Sequence, residues 1–185
     1  MAFDSSTKHI PSMTTRVTKR RRSASYYARL GIRLIPRLAT SPIRLLPDFL
    51  IIGAAKCGTT SLYYHLAEHP CVAPALRKEV YFFDRTFERG LGWYRAFFPT
   101  VLKRFRLKLS RGQQLVTGEA TPSYLFHPHA PRRIYETIPR VKLISLLRNP
   151  VDRAYSFYHQ QFRRGIEALS FEEAIEVEHQ RLRGE

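Results

Sequence analysis

A chain of 185 residues that is 44% hydrophobic and 12% aromatic has enough apolar surface to bury one core, which excludes a wholly disordered protein and leaves room for about one domain. Its net charge of +16 comes without zinc-finger spacing or an RNA-binding aromatic signature, so no specific nucleic-acid partner is expected. Cys57 and Cys71 make no disulfide framework and no apolar run reaches the ~18–20 residues of a membrane span, which together favour a cytoplasmic location and argue against a membrane-anchored one.

The charge is unevenly placed. Residues 1–47 hold ten Lys and Arg against one Asp, or +9, leaving +7 for residues 48–185. This stretch reads as a flexible basic arm preceding a single domain that begins at residue 48. Its KRRR run at Lys19–Arg22 and the later YYARLGIRLIPRLATSPIRLLP at 26–47 suit a solvated tail, a membrane-surface segment that would make the protein peripheral to a membrane, or an Arg-rich, acid-poor transit peptide. Pro36, Pro42 and Pro47 argue against a long continuous helix.

From Asp48 to Ser61 the chain reads DFLIIGAAKCGTTS. Leu50, Ile51 and Ile52 have the character of a short buried strand, spanning about 48–53, while Leu62, Tyr63 and Leu66 have helical spacing over 59–68. The turn between them opens a helix N-terminus, where unpartnered N–H groups and the macrodipole favour an anion. The spacing is similar to the phosphate-binding pattern G-x-x-x-x-G-K-[ST], but the lysine is displaced to Lys56 and Thr59 stands where that pattern has it. The displacement points to a different anion from a nucleotide triphosphate, and to no metal. A structural turn without ligand is the competing reading.

Downstream, an extended piece is expected at Val72, followed by Lys78-Glu-Val-Tyr-Phe-Phe-Asp84, a carboxylate beside a lysine and a block of aromatics. Tyr81, Phe82 and Phe83 are read as core more than as a substrate platform. A mixed region over 85–112 contains helical GWYRAFF. A strand near 115–119, a helix near 129–138, a strand over 141–147 ending at Arg148, and a helix over 151–164 carrying Ser156 complete the alternation. Ser170 with Glu173 forms a capping box for a last helix running to the terminus. Strands alternating with helices read as an α/β fold, a parallel sheet flanked by helices with ligands at the strand carboxyl ends.

The loop at 48–61, the KEVYFFD segment, GEATPSYLF at 118–126 and VKLISLLRNPVDRAYSFYHQ at 141–160 resemble, in order and spacing, the sulfotransferase family, most closely its branch of heparan sulfate and related carbohydrate sulfotransferases and their bacterial relatives. The resemblance covers about residues 48–165. It implies a P-loop-like domain that takes 3′-phosphoadenosine 5′-phosphosulfate as donor, requires no metal, and sulfates a hydroxyl or amine of a carbohydrate or small-molecule acceptor. It assigns the 5′-phosphosulfate to Lys56, Gly58, Thr59, Thr60 and Ser61, the 3′-phosphate to Arg148 and Ser156, and the general base to Glu79, with Lys56 also neutralising charge on the leaving group. A forked guanidinium suits a phosphate, and a positioned carboxylate contributes ~10²–10⁴-fold as a general base.

Each assignment has a plainer competitor. Glu79 has Lys78 for an ion pair, Arg148 has Asp152, and Ser156 has the carbonyl one turn back. Cys57 lacks an evident partner base, and His65, His69, His127 and His129 form no metal set. Where heparan-type enzymes commonly read Glu-Lys-Thr-Pro this chain has Glu119-Ala120-Thr121-Pro122, a loss that argues against a heparan-like polyanionic acceptor. The family's domain continues well past residue 185, so the chain reads as truncated, with an exposed sheet edge and an apolar patch expected where the remainder would pack. A nucleotide-binding kinase-like P-loop protein and a non-catalytic adenosine-bisphosphate-binding relative are the alternatives. No oligomeric state is legible.

Overall fold

The computed structural model describes residues 24–183, which fall into two compact units, one ending at Phe157 and the other beginning at Tyr158. In chain order the elements are α1 (Ala24–Ala39), β1 (Phe49–Gly53), α2 (Thr59–Glu68), β2 (Val72–Pro74), α3 (Phe82–Arg85), α4 (Gly90–Arg95), α5 (Val101–Arg111), β3 (Val116–Ala120), α6 (Ala130–Thr137), β4 (Lys142–Ser145), α7 (Pro150–Arg163), α8 (Phe171–Glu176) and α9 (Glu178–Arg183). The four strands form one sheet in the order β2-β3-β1-β4, and every pair is parallel. Parallel neighbours require crossovers, which the intervening helices supply. The expected α/β architecture is therefore present.

Side-chain alternation along β1 builds two cores. Leu50 faces one side, with Val80, Phe82, Phe83, Tyr94, Phe97, Phe98 and Tyr124. Phe49 and Ile51 face the other, with Tyr63 from α2 and Ala120 from β3. The aromatic block is core, as its composition suggests: Phe82 stacks on Tyr94 with centroids 4.3 Å apart and meets Phe83 edge-on at 5.0 Å. Tyr81 alone of the three is only partly buried.

Two expectations need correction. Within the stretch read as a basic arm over residues 1–47, α1 forms a helix from Ala24 onward, and the KRRR run lies outside the described residues. α1 continues for 16 residues with Pro36 inside it, despite the proline argument. The reason is tertiary: Leu34 packs on the aromatic core, and the Arg37 guanidinium donates to the Ala96 carbonyl at 2.6 Å and the Phe98 carbonyl at 2.8 Å. The last helix does not run unbroken to the end, because α8 stops at Glu176 and α9 begins at Glu178. Its start is as read, with Ser170 and Glu173 capping reciprocally. β4 is the outer strand on one side of the sheet, and Leu143 in it and Leu147 just beyond it are exposed.

Candidate functional site

The segments after the neighbouring strands β3, β1 and β4 leave the same end of the sheet, and the turn at Glu79, which follows β2, joins them there. The loop after β1 is tied to the segment after β4, since Ala54 N–H donates to the Leu146 carbonyl and Leu146 N–H to the Gly53 carbonyl, both at 2.8 Å. On the other flank Thr121 N–H donates to the Ile51 carbonyl at 3.0 Å, and Glu79 N–H to the Ala120 carbonyl at 3.1 Å. The loop holding Lys56, the turn holding Glu79 and the segment leading to Arg148 therefore share that end, the one where a parallel α/β sheet places its ligands.

The β1 loop is shaped by contact. A Cβ on Gly53 would stand 2.7 Å from the Leu125 Cβ and 3.2 Å from the Pro122 carbonyl oxygen, so only glycine fits. Gly58, at φ +86°, precedes α2 and gives it no side-chain cap. The first N–H groups of an α-helix have no intrahelical acceptor, and Gly58 supplies α2 with no side-chain cap, the arrangement that suits an anion. Thr60 and Ser61 are exposed at this end, whereas Thr59 is buried. Lys56 sits in the loop at φ +69°. Cys57 is buried, its Sγ 3.8 Å from the Ala55 carbonyl.

Glu79 lies in a tight turn with positive φ at both Glu79 (+63°) and Tyr81 (+59°). Its carboxylate pairs with Lys78 Nζ at 2.8 Å and accepts a hydrogen bond from the Tyr81 hydroxyl at 2.5 Å. Burial, and then the bond to Glu79, push the Tyr81 hydroxyl up to about 12, so it keeps its proton and remains a donor. The Lys78 pair anticipated as a competitor is present, but inside a two-sided clamp rather than as a loose surface contact.

Arg148 lies between β4 and α7 and is about half exposed. Its Nε is 3.8 Å from Asp152 Oδ2, an exposed pair worth ~0–1 kcal/mol. Asn149 caps α7, its Oδ1 accepting from the N–H of Val151 at 2.9 Å. Ser156 is partly buried in α7, two turns on. Among the described residues no group of three His, Cys, Asp or Glu is placed to hold a metal ion.

Sequence reasoning missed Glu119. This carboxylate is fully buried and takes four hydrogen bonds: from Val80 N–H (3.0 Å) and the Thr121 hydroxyl (2.7 Å) on Oε2, and from the Tyr94 (2.7 Å) and Tyr124 (3.0 Å) hydroxyls on Oε1. Tyr124 Oη in turn accepts from Phe82 N–H at 2.9 Å. The end of β3 thereby holds the Glu79–Phe83 turn on both sides. Burial raises the Glu119 pKa above the ordinary carboxylate range, and the four donors offset part of that rise. A lone carboxylate in a central strand was the available signal, because a buried charge needs partners. The neighbouring Ala120 faces the opposite core against Phe49, Ile51 and Tyr63.

Residues 46–182 match the Sulfotransferase domain family. The chain is 47% identical over 124 residues to the human heparan sulfate glucosamine 3-O-sulfotransferase 6, covering 66% of this chain and 33% of that protein. It is 40% identical over 114 residues to the membrane-associated sulfotransferase kil1 of Dictyostelium discoideum, covering 62% and 23%. A sulfotransferase crystal structure from Alicyclobacillus acidocaldarius superposes with a TM-score of 0.57 at 36% identity, covering 76% of this chain and 60% of that one. The chain thus spans a third or less of the length of these two curated relatives. Family, fold and the order of motifs agree, and the chain belongs to the sulfotransferase domain family.

Proposed function

We propose that this chain binds 3′-phosphoadenosine 5′-phosphosulfate and supports transfer of its sulfuryl group to a hydroxyl or amine of a carbohydrate or small-molecule acceptor. The observation that carries the reading is the hydrogen-bonded convergence of the Lys56 loop, the Glu79 turn and the Arg148 segment on one end of the sheet. The residues fit the donor: an uncapped helix start and Lys56 suit a phosphosulfate, and a half-exposed guanidinium is accessible to a separate phosphate. When bound, the donor supplies an activated sulfuryl group on a phosphate leaving group. Lys56 and the start of α2 neutralise negative charge on that leaving group, and Arg148 with Ser156 holds the 3′-phosphate. Glu79, oriented by Lys78 and Tyr81, takes the acceptor proton. The similarity to a heparan sulfate glucosamine sulfotransferase supports a carbohydrate acceptor; Ala120, buried against Phe49, Ile51 and Tyr63, carries no argument about that acceptor's charge.

Calorimetry tests the donor site. The chain should bind 3′,5′-adenosine bisphosphate without magnesium, and Arg148→Ala and Lys56→Ala should each weaken binding about tenfold or more, as expected on losing a charge-assisted hydrogen bond. Preference for ATP with magnesium would instead support a kinase-like protein. Glu79→Gln should leave bisphosphate binding intact and abolish transfer. Transfer that survives Glu79→Gln removes the base assignment, and bisphosphate binding without any transfer supports a non-catalytic relative.

A further inference from the structure

α5 is a helix of 11 residues with five basic residues and no acidic one. One side holds it to the domain: Leu107 packs beside Leu45, Ala73 and Leu115, and Arg104 pairs with Asp48 at 2.5 Å. The other side presents Leu102, Phe105 and Leu109 at the i, i+3, i+7 spacing of one helical stripe, with Phe105 59% and Leu109 71% exposed. Lys103, Arg106 and Lys108 are exposed along the same helix. α1 repeats the pattern independently. Leu34 and Arg37 fix its inner side, while Ile32 and Ile35 are 70% and 69% exposed and Arg29 and Arg33 are exposed with them. The two helices approach the same short segment, since Arg37 and Arg44 both donate to the Phe98 carbonyl and Thr100 is the N-cap of α5.

From this pairing of large apolar side chains with basic ones on two helices of the same unit, we infer that α1 and α5 form a docking surface for an anionic lipid bilayer. The occupant has to satisfy both chemistries. Anionic headgroups meet the lysines and arginines, and the acyl boundary takes up Phe105, Leu109, Ile32 and Ile35. A sulfated polysaccharide or a nucleic acid would neutralise the charges but leave the apolar stripe in water. A second copy would bring basic helix against basic helix. α5 is tied to Asp48 before the start of β1, whereas Lys56 follows its end, and no residue of this surface is assigned a part in sulfuryl transfer, so the inference does not depend on that reading.

Co-sedimentation of the whole chain with vesicles tests it. Binding is expected to phosphatidylcholine vesicles containing phosphatidylserine and not to phosphatidylcholine alone. Phe105→Ser with Leu109→Ser, and separately Ile32→Ser with Ile35→Ser, should each weaken it about tenfold or more. These side chains are exposed, so thermal unfolding and bisphosphate binding should be unchanged, which separates loss of docking from loss of fold. A second variant, Arg106→Glu with Lys108→Glu, should abolish the preference for phosphatidylserine while keeping the apolar stripe. Vesicle binding that is absent, or that both serine pairs leave at the wild-type level, overturns the inference, the latter because charge alone would then account for it. It is equally overturned if the wild type is dimeric and the serine variants are monomeric, or if only a sulfated oligosaccharide binds.

Discussion

Among the described residues, the non-glycine positions with positive φ are Lys56, Glu79 and Tyr81. A left-handed backbone costs an L-residue on the order of 1–2 kcal/mol, and it persists only where the surroundings over-determine it. Two of the three are the residues assigned the chemistry, and the third holds one of them by hydrogen bond. The strain at Lys56 gives a prediction in which stability and binding part company. Lys56→Gly should leave the chain as stable as the wild type or up to about 1 kcal/mol more stable, since glycine tolerates φ near +70° at the cost of a more flexible unfolded chain. The same change should weaken 3′,5′-adenosine bisphosphate binding as much as Lys56→Ala does. Urea unfolding beside calorimetry reads both. A glycine variant destabilised by more than about 1 kcal/mol would mean that the lysine side chain holds the loop and that the turn is structural.

At the scale of elements, the alternation of strands and helices was legible because apolar periodicity is local: β1, α2, β3, α6, β4 and α7 fall within a few residues of where their patterns place them. The capping box at Ser170 was legible for the same reason. What escaped was set by tertiary partners, most of them far along the chain. α1 survives Pro36 through carbonyls about 60 residues away, and Glu119 is defined by Val80, Tyr94 and Tyr124, none adjacent to it. Glu79 and Arg148 could be proposed from the sequence as residues, yet the clamp around Glu79 by Lys78 and Tyr81 depends on two left-handed backbones that no periodicity reveals. The Glu119 network makes a prediction of its own. Glu119→Gln keeps the volume but turns one acceptor into a donor facing donors, which should cost about 1–3 kcal/mol in urea unfolding. It should also loosen the turn at Glu79, so amide exchange at Val80 and Phe82 should rise above that of the Leu50 strand. Unchanged exchange there would show that Glu119 stabilises β3 without holding the turn.

Across the molecule the titrating carboxylates pull in opposite directions in the two units. In the unit from Tyr158, Glu167 accepts two hydrogen bonds from the Arg181 guanidinium, at 2.5 and 3.2 Å, and others from the N–H groups of Ala168 and Leu169. The Arg181 bond, with help from the backbone donors and against the opposing effect of burial, holds its pKa down at about 2 from an ordinary 4.5. A carboxylate depressed on folding stabilises above its unfolded pKa, so this contribution is present above about pH 4.5 and is lost as pH falls towards 2. Glu119, in the other unit, is raised by burial. Its contribution is greatest below the ordinary carboxylate pKa and declines as pH rises through the elevated one. Trp93, the single tryptophan, reports on the Glu119 unit, whereas far-ultraviolet circular dichroism also sees α8 and α9. On acid titration, helical signal should therefore fall between pH 4.5 and 2 in a step that Glu167→Gln removes, while the Glu167→Gln and wild-type Trp93 curves coincide. A helical step that persists with the same midpoint in Glu167→Gln would assign the acid sensitivity to other carboxylates and leave the Glu167–Arg181 pair without a role in holding α9.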